Sequence, residues 1–132
     1  MKLSTRSRHG TRLMLDLAHN YNEGFVQIGD IAKRHNISAK YLEQLIVSLK
    51  KAHLVESLRG PRGGHKLAKA PSEITMGEIV DVLENGINLS QCVENPMTCK
   101  QSELCQIRDV WHVATKALYD KLNSIKLSEM LG

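Results

Sequence analysis

The amino-acid sequence predicts a mainly α fold, a helix-turn-helix followed by a two-stranded basic hairpin and a long C-terminal helix. Three observations predict it. Apolar residues recur at three-and-four spacing in several segments. Gly, Pro and Arg crowd one stretch, Arg59-Gly60-Pro61-Arg62-Gly63-Gly64-His65, between two short apolar runs. Aromatic residues make up only 4% of the 132 positions, which disfavours an all-β sandwich. With 42% hydrophobic and 24% charged residues the chain folds, and its length suits one domain plus an appendage.

The first helix is expected from about Thr5 to Tyr21, with Leu13, Met14, Leu17, Ala18 and Tyr21 on its buried face and Asn22 and Gly24 as the stop. An extended link at Phe25–Gln27 leads to a short helix over Ile28–His35, in which Ile28, Ile31 and Ala32 point inward. Asn36 closes that helix in a left-handed conformation, and Ser38 caps the next one, which runs over Ala39–Ala52 and buries Tyr41, Leu42, Leu45, Ile46 and Leu49. Two helices joined by so tight a turn form a helix-turn-helix, and the basic hairpin after them makes it a winged helix. A further helix begins near Thr75, with Met76, Ile79, Val80 and Leu83 inward, and stops at Glu84-Asn85-Gly86. Residues 87–104 show no clear period.

The last long helix begins near Cys105 and reaches about Asn123, with a terminal turn over 126–131. Its apolar stripe is Ile107, Val110, Trp111, Ala114, Leu118, Leu122 and Ile125. A partner helix across a two-fold axis would bury that stripe and make a dimer; packing onto the chain's own first helix is the competing account. The expected organisation is a winged helix-turn-helix DNA-binding domain over residues 1–84, a cysteine-bearing loop over 85–104, and a dimerisation helix with its terminal turn over 105–132.

Charge placement supports the DNA-binding assignment. The net charge of +4 divides into +8 over residues 1–70 and −4 over 71–132, a basic front half suited to a polyanion. At the start of the long helix of the pair, Ser38, Lys40, Tyr41, Glu43 and Gln44 are the expected DNA-reading positions: Ser and Lys for phosphates, Gln for adenine, Glu for the cytosine amino group. Arg59 and Arg62, on a Gly-rich tip, suit a narrow minor groove. The bland account is the polar half of an amphipathic helix beside a solvated loop. No run of ~20 apolar residues is present for a membrane span. The N-terminal stretch lacks the apolar region of a signal peptide, so a cytoplasmic chain is expected. No paired-carboxylate, nucleophile–base or phosphate-cradling motif stands out, and no enzymatic activity is expected.

The three cysteines are Cys92, Cys99 and Cys105, with six and five residues between them. This is not the close pairing of a zinc ribbon. Thiolates on one irregular loop can still converge on one centre, and a helix N-terminus favours the deprotonated form of Cys105. Spacing alone leaves an iron–sulfur cluster, zinc, a thiol switch and inert thiols all open.

Four segments together are specific: MKLSTRSRHG with MLDLA at the start, ISAKYLEQLIVSLKKAHLV in the reading helix, ESLRGPRGGHKLAKAPSEITMGEIV through the wing, and the three-Cys loop running into CQIRDVW. Through them nearly the whole chain resembles the Rrf2 family of winged-helix transcription regulators, which includes the iron–sulfur regulators IscR and NsrR. The resemblance implies paired subunits that bind a double-stranded operator through helix and wing. It makes Cys92, Cys99 and Cys105 the ligands of an iron–sulfur cluster, more in keeping with 4Fe–4S than 2Fe–2S, that senses iron, redox or nitric-oxide status. Glu43 and Arg59 match positions the family uses for bases and the minor groove, whereas Lys40 replaces a Ser at another reading position. Where some members carry a fourth ligand this chain has Arg108, and where others use a carboxylate from the partner's first helix it has Arg8. Asp109, His9 or an exogenous ligand remain for that place. A thiol- or zinc-based regulator of the same fold, or a protein-interaction module, are the alternative functions.

Overall fold

A computed structural model describes residues 2–89 and 106–131. Helix α1 spans Thr5–His19, and the Ser4 hydroxyl caps it by accepting from the Ser7 N–H. It buries Leu13, Met14, Leu17 and Ala18 and, unusually for an apolar face, Asp16. The helix stops before Tyr21 because Asn20 ends it: the Asn20 side chain donates back to the Asp16 carbonyl at 2.9 Å, and Tyr21–Glu23 tightens into a 3₁₀ turn.

Helix α2 covers Ile28–His35, and Asn36 closes it at φ 52°, in the left-handed region that Asn tolerates. The Ser38 oxygen then accepts from the Tyr41 N–H at 3.3 Å and starts α3, Ala39–Lys51. Leu42, Leu45, Ile46 and Leu49 of α3 are buried; Tyr41, expected inside, is only half-buried because it stands at the helix start, edge-on to His9.

Strands β1 (Val55–Leu58) and β2 (Gly64–Leu67) pair antiparallel, with Val55 opposite Leu67 and Leu58 opposite Gly64. The extended link before α2 joins them, as Val26 and His65 exchange two 2.8 Å backbone hydrogen bonds. Gly64 is required there: its φ is +144°, and a β-carbon would collide with the Val26 carbonyl.

After a 3₁₀ turn at Pro71–Glu73, α4 runs over Met76–Glu84, capped by Thr75 at its start and by left-handed Asn85 at its end. Helix α5 covers Gln106–Asn123. A last 3₁₀ turn, Leu127–Met130, returns to the winged domain: the Leu127 N–H donates to the Ile74 carbonyl at 2.8 Å, and Leu127 is 0% exposed in the same core as Leu13, Leu45 and Ile79.

The α5 stripe divides in two. Leu118 and Leu122 border a hollow with Val80 of α4 and Leu3, so this half of the helix is covered within the chain, by α4 rather than by the first helix that the competing account named. Ile107, Val110 and Trp111 remain exposed, joined by Val113, which is 66% exposed. Among the described residues, only Thr115 of this helix is buried.

Candidate nucleic-acid interface

Helix α3 and the wing border one hollow of about 420 Å³, with Glu43, Val47 and Lys50 on the helix side and Ser57, Leu58, Arg59 and His65 on the wing side. The structure therefore brings Glu43 and Arg59 to the same groove although 16 positions separate them. Lys40, Glu43 and Gln44 are exposed, and so is Ser38, whose oxygen is engaged in the cap. Arg59 and Arg62 are exposed on the wing loop and make no ion pair among the described residues. Tyr41 is half-buried at the start of α3, and its ring meets that of His9 of α1 edge-on, centroids 5.6 Å apart.

Further residues line this groove beside the expected reading positions. Val47 and Leu58 are each 52% exposed and place apolar surface in this groove. Lys50 supplies a further cation, and its presence in the last turn of a basic helix was the available signal. His65 is hydrogen-bonded through Nδ1 to the Ser57 hydroxyl at 2.7 Å. Burial, and after it the charge of Lys50, holds His65 below the ordinary histidine range, against a smaller pull from Glu43. The wing is braced against the start of α2 as well, since the Gln27 amide donates to the Pro61 carbonyl at 3.2 Å.

Two clasps fix the helices behind this face. Asp16 accepts from Arg34 Nε and Nη2 at 2.9 and 2.7 Å and lies 2.8 Å from His35 Nε2. Glu84 accepts from the Ser4 N–H and the Ser7 hydroxyl at 2.9 and 2.6 Å, and Arg6 reaches both the Leu83 carbonyl and Ser48 of α3. Burial would raise either carboxyl, but the hydrogen bonds outweigh it and hold both below the ordinary carboxylate range.

Cys92, Cys99 and Cys105 lie outside the described residues. Among the described residues no group of three or more His, Cys, Asp or Glu could hold a metal ion. Of the two protein groups considered for a fourth ligand, Asp109 is exposed in the first turn of α5. His9 is half-buried, and its Nδ1 is buried with no hydrogen-bond partner. Among the described residues no helix is long and apolar enough to cross a membrane.

A helix-turn-helix whose second helix and basic hairpin share one groove defines a winged-helix protein. Residues 3–132 match the Rrf2 family, described as an iron-dependent transcriptional regulator, and the chain belongs to that family. The protein named rrf2 of Nitratidesulfovibrio vulgaris is 43% identical over 131 residues, 99% of this chain and 87% of that one. Among solved structures, T. potens IscR has a TM-score of 0.76 and 37% identity, covering 99% of this chain and 86% of that one. CymR, the global cysteine regulator of B. subtilis, has a TM-score of 0.78 and 35% identity, covering 98% of this chain and 95% of that one. Further relatives, from Neisseria meningitidis and Erwinia tasmaniensis, carry the names of HTH-type transcriptional regulators.

Proposed function

We propose that the chain is a homodimeric regulator that binds double-stranded operator DNA and whose affinity depends on an iron–sulfur cluster. The observation that carries the DNA reading is the groove shared by Glu43 of α3 and Arg59 of the wing. In that reading Glu43 and Gln44 contact base edges, Ser38, Lys40 and Tyr41 contact the backbone, and Arg59 and Arg62 enter the minor groove. One winged domain reads one half-site, so a two-fold dimer suits a palindromic operator. The exposed apolar end of α5, at Ile107, Val110, Trp111 and Val113, suits that contact.

Cys92, Cys99 and Cys105 would hold the cluster. The donor set fits it in kind, because three thiolates are soft ligands, and a 4Fe–4S centre on three of them leaves one iron for a ligand other than cysteine. When bound, the cluster supplies a centre altered by iron supply, oxygen or nitric oxide. The chain's own contribution is connectivity: the cysteine segment joins α4, whose end is clasped to α1 through Glu84, to α5. A cytoplasmic site of action follows from this role.

Likeness to CymR favours a second reading, a regulator that responds through its thiols without a cluster. Anaerobic purification, with iron, sulfide and visible absorption measured on the same sample, separates the two. Iron and sulfide with a chromophore support the cluster, whereas metal-free protein that still binds DNA supports the thiol reading. DNA affinity that falls steeply with salt tests the shared part, and salt-independent binding would replace it with a protein-interaction role.

A further inference from the structure

A second basic site lies apart from the reading groove. The C-terminal half of α1 and the end of α2 border a hollow of about 660 Å³, within the range of small-ligand sites. Four of its side chains are basic, Arg12, His19, Arg34 and His35, and one, Asp16, is acidic. The Asp16 carboxylate is already engaged by Arg34, His35 and Asn20.

Arg34 uses Nε and one Nη2 hydrogen on Asp16, so three of its five N–H groups remain. Arg12 and His19, seven positions apart along α1, have side chains with no hydrogen bond or ion pair among the described residues. Among the lining side chains two guanidinium groups face one carboxylate, a positive excess that Asp30, which acts on Arg34 from outside the lining, offsets only in part. A buried carboxylate holds Arg34 in place before any ligand arrives, which lowers the ordering cost of binding. Planar guanidinium forks of this kind match the oxygens of a phosphate group.

We propose that this hollow is a phosphate-binding site, with Arg12 and Arg34 as its cationic ligands and His19 at its rim. The phosphate can come from a nucleic-acid backbone or from solution. The α2 wall ends at His35, three positions before Ser38 starts the reading helix, so a bound phosphate would brace the base of the helix-turn-helix turn. The nucleic-acid source rests on the DNA-binding reading above, and the free anion does not.

The test uses the full chain and the variants Arg12→Ala and His19→Ala, both at exposed positions of α1. Calorimetric titration with inorganic phosphate, in a buffer free of other multivalent anions, reads the free source. Binding to a random-sequence duplex across a salt series reads the backbone source. Expected for a free phosphate is one-site binding to the unmodified chain, weakened about tenfold or more by Arg12→Ala. Expected for a backbone phosphate is a salt slope reduced by about one in Arg12→Ala, with Lys121→Ala on α5 leaving it unchanged. Either result supports the site and assigns its source. The proposal is overturned if inorganic phosphate does not bind, or binds the variants equally well, and the Arg12→Ala slope also equals that of the unmodified chain. If the unmodified chain does not bind the duplex at all, the DNA reading fails, and the phosphate titration alone decides the hollow.

Discussion

Arg34 sets Nε and Nη2 against the two carboxylate oxygens of Asp16, at 2.9 and 2.7 Å, and so ties the end of α2 to the last turn of α1. Because Asn36–Ser38 follows immediately, this clasp fixes the angle at which the reading helix leaves the turn. Asp16 is 6% exposed and Arg34 47%, so the pair is only partly screened. Asp16→Asn keeps the shape but removes the charge, and it should cost about 1–2 kcal/mol of stability, read by urea denaturation. An unchanged midpoint would mean that the clasp contributes nothing beyond packing.

Acid should destabilise the protein in two stages. His65 titrates lower in the folded chain than in the unfolded one, as do Asp16 and Glu84. For each, the unfolded state binds protons first as pH falls, so its stabilising contribution is present above the unfolded value and lost as pH falls through the folded one. The His65 part is lost on going below its ordinary 6.5, and the Asp16 and Glu84 parts below their ordinary 3.8 and 4.5. The thermal midpoint should fall as the pH is taken from neutral to below 6.5, and His65→Gln should flatten that upper limb. A midpoint independent of pH across both windows would contradict these assignments.

What could be read in the sequence was local. The α2 boundaries, the caps at Asn36 and Ser38 and the start of α4 near Thr75 followed from residue types whose effect reaches only a few positions. The end of α1 was misplaced because Tyr21 continues the apolar period, while the Asn20 side chain that ends the helix bonds back to Asp16. Asp16 was not singled out, because the partners that allow its burial lie 18 and 19 positions away. The Val26–His65 pairing and the burial of Leu127 are equally non-local. On α5, periodicity revealed a stripe but not what covers it, and Leu118 and Ile107 have different surroundings. At the reading face, Arg59 and Glu43 stood out by type, whereas Lys50 and Val47 required the wing to be folded onto the helix.

Arg59→Ala should weaken binding to a specific operator by about 1–3 kcal/mol, measured by gel shift or anisotropy. The side chain is exposed on the wing loop and supports no core, so the far-ultraviolet spectrum and melting midpoint should not move. Operator affinity equal to that of the unmodified chain would remove Arg59 from the reading surface.

The two halves of α5 predict different outcomes for the same chemical change. Val113→Asp places a charge on the exposed apolar end, and it should convert a dimer to a folded monomer at micromolar concentration by light scattering. Leu118→Asp places the charge against α4 and Leu3 within one chain, and it should lower the melting midpoint of the protomer itself. An unmodified chain that is monomeric at that concentration would sink the two-fold arrangement.

The cluster makes the strongest demand on single residues. Three thiolates are the fewest that can carry a cubane with one iron left for another ligand, so no cysteine is redundant. Replacing Cys92, Cys99 or Cys105 singly by Ala should each abolish the visible chromophore of the anaerobic protein. Because the segment connects α4 to α5, losing the cluster should also change operator affinity, the two states of the segment being coupled to two states of the reading face. A zinc site would lose metal without ever showing the chromophore, and a thiol switch would respond to oxidant with no iron present. If all three variants keep both the chromophore and the affinity of the unmodified chain, these cysteines hold no cluster, and a winged helix bearing spectator thiols remains.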